Sequence, residues 1–315
     1  QCFILVKEWM KSGQEIVPES LEEIIEKNLV CLNSLDNPMK KLPLFNGSTE
    51  KNLENFLEYL NKLNYLPKKN LKSVGQIQIV KNKKSTLYFD SGSPPLHTLS
   101  KDYQSGPLSF EYSNDNNKII TNCGYGKKIS KKIQLLSKFT SAQSTLCIDN
   151  TSVVNFKKNN LINRAYGSTI NNSFKIIDVD RIEDKSSIKL SATHNAYLNK
   201  FGYLHKRTIK FLKKDSDIEG SDHLIKKNGS TNVGFSIRFH LYPGINTVQT
   251  VSGKSILLQV NKNKSWIFSS ENQQISLEKS LFLGGSKAQN NQCIVIYGST
   301  DDENVNINWK LKKAS

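Results

Sequence analysis

Few side chains of this 315-residue sequence stand in a familiar catalytic motif. The histidines number five and none is followed by another four residues later; they are His97, His194, His205, His223 and His240. The phosphate-binding glycine loops, the HExxH zinc motif and the GxSxG nucleophile motif do not occur. Histidine spacing alone therefore does not predict a metal site.

The cysteines do not suggest a disulfide framework or a zinc ribbon. They number five and are scattered, with no CxxC pair, at Cys2, Cys31, Cys123, Cys147 and Cys293. Cysteine is among the residue types most often buried as a free thiol. We therefore expect mostly buried, unpaired thiols.

The charge is strongly positive and unevenly distributed. The formal net charge is +16, but residues 1–65 hold 7 basic and 10 acidic residues, which leaves 37 basic and 18 acidic residues, or +19, for the remainder. A basic surface attracts nucleic acid, anionic membranes or acidic glycans. The alternative is a compositional bias, because Lys, Asn and Ile are frequent throughout.

The length of the apolar runs and the identity of the first residue each give one expectation. No apolar run approaches the roughly 18 residues that a membrane-spanning helix needs, so no transmembrane segment is expected. The chain begins with Gln1, and we interpret it as a fragment or processed product of a longer protein.

Two amphipathic helices are predicted near the start, and residues 2–10 are read as the tail of an earlier helix. In the first helix, Ser20 and Glu23 form a capping-box pattern just after Pro18. The apolar stripes of the two helices are Leu21, Ile24, Ile25, Leu29 and Leu32, then Leu53, Phe56, Leu57, Leu60 and Leu63.

From about residue 72 the pattern changes to short runs of Ile, Val, Phe and Tyr between turn residues, with period-2 alternation at 76–79 and 305–309. Such runs predict a mostly β fold, in which a helical segment over 1–68 precedes a large antiparallel β-sandwich of stacked sheets over 69–315. The predicted strands include 76–80, 85–90, 108–112, 118–121, 145–148, 174–179, 187–192, 206–212, 234–241, 255–260, 279–283, 293–297 and 305–310.

Several segments share their order and spacing with one enzyme family. The upstream ones are an Asp90-Ser-Gly turn before a loop with His97, the Leu108-Ser-Phe-Glu strand, the Asn122-Cys-Gly turn and Ala142-Gln-Ser-Thr. The downstream ones are His194-Asn-Ala-Tyr, His205-Lys-Arg, Glu219-Gly-Ser-Asp-His and Arg238-Phe-His-Leu-Tyr-Pro. Over roughly residues 40 to 311 the chain resembles the C-terminal β-domain of bacterial heparinase II/III-like proteins.

The resemblance implies an architecture and a chemistry. The family has an N-terminal α/α toroid followed by stacked antiparallel sheets, so the helical segment would be the end of a toroid. An acidic polysaccharide lies between these parts, and a base removes the C5 proton of a uronic acid to start β-elimination, while Tyr or His serves as the acid. A divalent metal held by His and Asp orders the cleft floor. Localisation in the periplasm or cell envelope is expected by the same resemblance.

The sequence departs from the family pattern at the metal and catalytic positions. Gln104 stands where a histidine is expected, Asp102 where some members have a second one, Asn122 replaces an aspartate, and Gln143 replaces the histidine of the Ala-His segment. Glutamine cannot take up a proton near neutral pH and is a poor zinc ligand. We therefore predict a degenerate metal site with no cofactor, and expect Gln104, Asn122 and Gln143 to lie close together.

The remaining candidates follow from the same carry-over. His194, His205 and Arg207 match family positions and are candidate catalytic residues; the alternatives are strand-end structural histidines and an internal salt bridge for the arginine. Candidate substrate-binding residues around the expected cleft are His97, Tyr103, Gln104, Tyr125 and Gln143. For His97 the alternative is a solvent-exposed turn, and tyrosines are common in loops without stacking on sugars.

Three functional hypotheses remain. The chain is a polysaccharide lyase by descent whose activity in this fragment is weak or absent; or it is a non-catalytic acidic-glycan-binding or structural β-domain. Nucleic-acid binding rests on charge alone and, without a nucleic-acid-binding motif, is not expected. Basic residues lining a groove near Gln104 and Gln143 would favour the first, an even spread the second, and a broad flat basic face away from that groove nucleic-acid binding.

Overall fold

Helices open the chain, as the sequence predicts. The computed structural model describes residues 1–65, 69–157, 168–228, 232–271, 273–301 and 303–314. The helices are α1 (Cys2–Ser12), α2 (Glu19–Leu35), α3 (Glu54–Lys62), α4 (Lys131–Leu136) and α5 (Leu198–Phe201). Within the described residues, no helix is both long and apolar enough to cross a bilayer.

The first three helices pack through the predicted apolar stripes. Ile4 of α1, Ile25 and Leu29 of α2 and Leu60 of α3 form one buried cluster. The predicted capping box is wrong. Helix α2 begins one residue earlier than Ser20, Pro18 occupies the N-cap position, and no side chain caps the helix.

The first sheet has nine strands, all paired antiparallel. In spatial order they are β1 (Ser73–Val74), β2 (Ile77–Lys81), β3 (Ser85–Asp90), β4 (Phe110–Asn114), β5 (Asn117–Thr121), β11 (Gly234–Leu241), β16 (Gln289–Ser299) and β15 (Ile275–Phe282), with β6 (Leu146–Ile148) also paired to β11. The chain between β5 and β11 is long because it includes β6 and then four strands of the second sheet, so it passes from one sheet to the other and back.

The second sheet has eight antiparallel strands. In spatial order they are β12 (Asn246–Gln249), β13 (Ser255–Asn261), β14 (Lys264–Ser270), β17 (Val305–Lys313), β10 (Ile218–Lys226), β9 (Tyr203–Leu212), β8 (Ser187–His194) and β7 (Ile176–Glu183). Alternation is clear in β10, where every second residue from Ile218 to Leu224 is buried.

The two sheets face each other through an aromatic core, which confirms the predicted mostly β sandwich. Phe110 and Phe239 of the first sheet contact Trp309 and Phe268 of the second, with ring centroids 5.4 Å apart for Phe110–Trp309 and 4.6 Å for Phe239–Phe268. Pairs at such spacings contribute about 0.5–1.5 kcal/mol beyond their buried area.

Polar contacts join the helical part to the first sheet. The Tyr88 hydroxyl of β3 donates to the Leu35 carbonyl at the end of α2, at 2.7 Å. The Lys41 ammonium donates to the Tyr242 hydroxyl at 2.9 Å, and Tyr242 in turn donates to the Glu50 carboxylate. The proposed boundary between 68 and 69 falls at residues 66–68, outside the described part of the chain, and stays a prediction.

The cysteines match the expectation for most positions. Cys123, Cys147 and Cys293 are buried, Cys31 is half-buried and Cys2 is exposed, and all are free thiols.

Candidate functional site

Three predicted catalytic residues lie in one ion network between the sheets. Asp222 on β10 is its central acceptor. It accepts hydrogen bonds from Arg207 Nε at 2.8 Å, Arg207 Nη2 at 3.0 Å, His205 Nε2 at 2.7 Å and Trp309 Nε1 at 2.9 Å. Arg207 Nη1 also donates to the Leu108 and Ser144 carbonyls, at 2.9 and 2.7 Å. Every hydrogen-bonding position of the carboxylate is therefore used.

The hydrogen-bond directions fix the tautomers of the two histidines. The Ala196 amide donates to His194 Nδ1 at 3.2 Å, so the proton of a neutral His194 sits on Nε2. That nitrogen lies 3.1 Å from His205 Nδ1 and donates to it, which leaves the His205 proton on Nε2, facing Asp222. Both imidazoles are thus neutral members of a directed chain.

The protonation states agree with this arrangement. Burial lowers the pKa of His194 well below its usual value, and the charges of His205 and Arg207 lower it further. Burial also lowers the pKa of His205, against the opposing effect of Asp222. Burial acts to raise the pKa of Asp222, but the Arg207 charge and the His205 hydrogen bond outweigh it and hold the pKa below the usual range.

The network is closed to solvent. His194, His205 and Arg207 are each 0% exposed and Asp222 is 1% exposed. A side chain without solvent-accessible surface cannot touch a substrate unless the sheets separate. The structural alternatives, a strand-end histidine pair and an internal salt bridge, describe this geometry; the catalytic roles find no support in it.

The two glutamines at the substituted positions meet at one backbone oxygen. Gln104 Nε2 donates to the Ser137 carbonyl at 2.8 Å, and Gln143 Nε2 donates to the same oxygen at 2.9 Å. Gln104 also donates to the Gly124 carbonyl and accepts from the Gly47 amide. The side chains are buried, each with 2% exposure.

Asn122 belongs to the same region, because it is hydrogen-bonded to the residue that follows Gln143. Its Oδ1 accepts from the Ser144 amide, next to Gln143, at 2.9 Å, and its Nδ2 donates to the Leu44 carbonyl at 3.2 Å. The structure thus brings Gln104 and Gln143 together and connects Asn122 to them through the backbone. We call these three residues the amide cluster; it ties the 44–47 segment to the β part.

The amide cluster does not fit the divalent metal that the family pattern implies. The side-chain nitrogens of all three residues face backbone carbonyls, and zinc sites use Cys, His or carboxylate ligands. Among the residues described here, no group of three or more His, Cys, Asp or Glu side chains could hold a metal ion.

The two tyrosines differ from the sugar-stacking expectation because both rings are covered. Tyr103 is 5% exposed and Tyr125 is 0% exposed. The Tyr125 hydroxyl donates to Asp102 Oδ1 at 2.8 Å, and Gln134 donates to that hydroxyl. Burial, with a further contribution from Asp102, raises the pKa of Tyr125. The Tyr125 ring offers no face to a sugar, whereas Tyr103 lines a cavity described below and its role in substrate binding stays a prediction.

His97 lies in an exposed turn, which is the alternative to a position in the cleft. It begins a 3-10 turn over His97–Leu99 and its Nδ1 is 2.6 Å from the Ile170 carbonyl, so Nδ1 carries the proton. Its role in substrate binding stays a prediction. His240 is buried, with Nε2 3.1 Å from the Ser141 carbonyl.

A basic segment is attached to residues that neighbour the amide cluster. Residues 126–136, which we call the lysine loop, carry four exposed lysines, Lys127, Lys128, Lys131 and Lys132. The loop is fixed to the cluster because the Gly126 amide donates to Ser137 Oγ and Gln134 contacts Tyr125. No ion pair from these four lysines is formed within the described ranges, so their charges face solvent.

Two cavities open nearby, and they differ in charge. One, of about 500 Å³, is lined by amides such as Asn155, Asn172 and Asn199 and by Lys175 and Lys200, with no acidic residue among its described lining. One wall is held to the segment after the lysine loop, since the Thr140 amide donates to Ser152 Oγ at 3.0 Å.

The second cavity, of about 480 Å³, adjoins Gln104. It is lined by Asp90, Asp102 and Tyr103 together with neutral residues, and no lysine or arginine belongs to its described lining. The basic residues of the lysine loop therefore do not line this cavity.

Sequence reasoning missed the central acceptor and the basic loop. Asp222 has a weak signal, because it alternates with Gly220 and Leu224 on the buried face of β10. The lysine loop has a direct signal in the Lys127-Lys-Ile-Ser-Lys-Lys run. The Ser137 carbonyl oxygen that both glutamines share cannot be predicted from the sequence, because every residue carries a backbone carbonyl group.

Comparison with known proteins agrees with this architecture. The family model described as heparinase II/III-like, C-terminal, matches residues 66–310. A curated relative, FtsZ-localized protein C of Caulobacter vibrioides, is 22% identical over 238 residues, which are 71% of this chain and 40% of the relative.

Solved structures show the same fold at low identity. Heparan sulfate lyase HepC from Pedobacter heparinus superposes with a TM-score of 0.72 at 14% identity over 95% of this chain and 48% of that one. The BT4657 heparinase III gene product gives 0.73 at 12% identity over 94% and 47%. The chain thus spans less than half the length of each of these relatives.

Proposed function

The chain belongs to the heparinase II/III-like family through its C-terminal domain, and from this we propose that it is a lyase-derived domain that binds acidic glycans without cleaving them. Cleavage by β-elimination needs a base, an acid and a group that offsets the enolate charge, all in contact with the sugar. Binding needs only a complementary surface.

The absence of turnover is supported by the state of the candidate catalytic side chains. Gln143 and Gln104 cannot exchange protons near neutral pH, and both are held by backbone atoms inside the protein. His194 and His205 are neutral and sealed in the ion network. Losing one general acid or base typically costs about 10²–10⁴-fold in rate.

The observation that carries the binding proposal is the lysine loop. Four exposed cations within six residues, with no acidic partner among the described residues, make a concentrated positive surface that attracts polyanions at long range. The cavity with Lys175, Lys200 and several asparagines lies against the following segment, and it offers amides for sugar hydroxyls and ammonium groups for a carboxylate.

The runner-up is a purely structural or assembly role for the same fold. One observation favours it: the Caulobacter relative is named for its localisation with FtsZ and not for a reaction. The two readings differ in whether the lysine loop has a ligand. We also propose the periplasm or cell envelope as the site of action, to be checked by cell fractionation.

The test joins an affinity measurement to a product assay. Heparin-like, alginate-like and neutral glycans are titrated against the chain at two salt concentrations while absorbance reports unsaturated uronate. We expect binding to the acidic glycans that weakens at high salt, no binding to the neutral one, and no product. Product formation would overturn the non-catalytic reading, and equal affinity for the neutral glycan would overturn the binding reading.

A further inference from the structure

The cavity beside Gln104 contains a carboxyl group that has no cationic partner. Asp90 ends β3 and is 5% exposed, and its side chain lines the cavity. Its Oδ1 accepts one hydrogen bond, from the Gly92 amide at 3.0 Å, and Oδ2 has no hydrogen-bond partner among the described residues. A nearly buried, half-satisfied carboxyl is costly unless something pairs with it.

Among the described residues that line the cavity, none carries a positive charge that would stabilise the ionised form of Asp90. The other ionisable groups that line the cavity are Asp102 and Tyr103, both acids, while the remaining lining residues are neutral. Burial raises the pKa of Asp90 to about 7, against the opposing effect of the Gly92 hydrogen bond. Burial and the Asp90 charge raise the pKa of Tyr103, which therefore stays protonated. The cavity is acidic within a domain whose net charge is strongly positive.

We propose that this cavity binds an amino sugar through its free ammonium group, which pairs with Asp90. The ammonium supplies the missing donor for Oδ2 and the missing positive charge. This site goes beyond the acidic-glycan binding proposed above, because its charge has the opposite sign and it uses different residues.

The neutral part of the lining favours a sugar as the carrier of that amine. Pro94, Pro95 and Leu99 form an apolar wall, and Leu99 is 72% exposed. Gln76 and Asn46 add side-chain amides to the lining. A pyranose ring has an apolar face and a polar edge, which suits such a wall and such amides. The volume, about 480 Å³, lies in the usual range for small-ligand pockets.

The pairing predicts a proton signature. At about pH 6 Asp90 is largely protonated, so capture of an ammonium requires it to release a proton to the buffer. Above the pKa of Asp90 this release vanishes, and at about pH 8, where a glucosamine amine has itself largely lost its proton, binding as an ammonium takes a proton up instead. No other group lining the cavity is expected to give this change, since Tyr103 holds its proton throughout.

The experiment is calorimetric titration of the full chain with a glucosamine oligosaccharide and with its N-acetylated counterpart. The titrations are run at about pH 6 and pH 8 in buffers of different ionisation enthalpy. We expect the free amine to bind about tenfold or more tightly than the N-acetyl form, which corresponds to one charge-assisted hydrogen bond. Close to one proton should be released at the lower pH.

The variant Asp90→Asn keeps the shape and removes the charge. It should lose about tenfold or more in affinity for the amine and lose the proton release, while a thermal melt shows that it is folded. Unchanged affinity in this variant would overturn the proposal. A lysine peptide that binds the unmodified chain as tightly as the amino sugar would also overturn it, because the site would then recognise any ammonium group and not a sugar.

The two proposed sites fail independently. Asp90→Asn leaves the lysine loop intact, so binding of heparin-like glycans should not change in that variant. Loss of amine binding alone refutes only the Asp90 site, and loss of acidic-glycan binding alone refutes only the lysine-loop site.

Discussion

At the scale of single residues, the interior of the sandwich is organised around one carboxylate. Asp222 accepts four hydrogen bonds from Arg207, His205 and Trp309, and these donors come from both neighbouring strands of β10. A buried ion pair of this kind adds little net stability when compared with apolar packing, but removing one partner leaves an uncompensated charge.

Asp222→Asn should therefore destabilise the fold by about 3–5 kcal/mol, because Arg207 would remain charged, buried and unpaired. Urea denaturation followed by tryptophan fluorescence measures the change. The control is Asp180→Asn at an exposed position of β7, which makes the same change of charge and should alter stability by less than about 0.5 kcal/mol. A loss below about 1 kcal/mol for Asp222→Asn would show that the arginine finds another counter-charge.

Asp90 gives a prediction of stability against pH. Its folded pKa, about 7, lies above the usual unfolded value, so the folded state binds more protons between these two values and stability falls as pH rises through that window. In Asp90→Asn this decline should shrink, and the variant should gain roughly 2–4 kcal/mol over the parent at pH 8 and little at pH 4. Thermal melts across this range test it; parallel curves for the two proteins would contradict it.

The residue types at the site could be located from the sequence, but their environment could not. Gln104 and Gln143 were expected near each other and share an acceptor. The covering of Tyr125 was not expected, because it depends on contacts with Asp102 and Gln134, which are 23 and 9 residues away in the sequence. Burial of a polar side chain is decided by tertiary partners, which local sequence does not encode.

At the scale of elements, alternation located most strands. The predicted segments overlap thirteen of the observed strands, and β10 was anticipated only through the family resemblance. The set omitted β1, β12 and β14. The first two are short edge strands of 2 and 4 residues, which carry too few residues for a period to show. In β14 the signal exists, since Trp266 and Phe268 alternate and are buried.

The pairing of β10 with β17 depends on one glycine. Gly220 lies opposite Trp309, and a Cβ at this position would lie 2.1 Å from the indole ring. Gly220→Ala should displace Trp309 from the Phe110 stack and from Asp222, at a cost of about 1–3 kcal/mol.

The matched control for this variant is Ser221→Ala, on the opposite face of the same strand, which should change stability by less than about 0.5 kcal/mol. Guanidinium denaturation compares them. Equal stability of the two variants would mean that the indole relocates without loss.

At the scale of the whole molecule, four of the exposed lysines stand within six residues in the lysine loop. Neutralising Lys127, Lys128, Lys131 and Lys132 together to Gln should lower affinity for heparin-like polymers by about tenfold or more and flatten its salt dependence, because the local positive potential is removed. Affinity at two salt concentrations measures both effects.

The control carries the same change of net charge at another place. It replaces four exposed lysines in turns between strands, Lys83, Lys84, Lys254 and Lys262, and should alter affinity only slightly. An equal effect of the two quadruple variants would indicate that total charge, and not the lysine loop, determines binding.

The shared acceptor at Ser137 has a consequence for substitutions at either glutamine. Gln104 uses two donors and one acceptor at once, whereas a neutral histidine offers one of each. A histidine at position 104 would have one donor for the Gly124 carbonyl and one acceptor for the Gly47 amide, while Gln143 would still donate to the Ser137 oxygen. The common oxygen thus makes the two glutamines partly redundant: a substitution at one position is buffered by the amide at the other, and only the loss of both leaves this buried carbonyl without a side-chain donor.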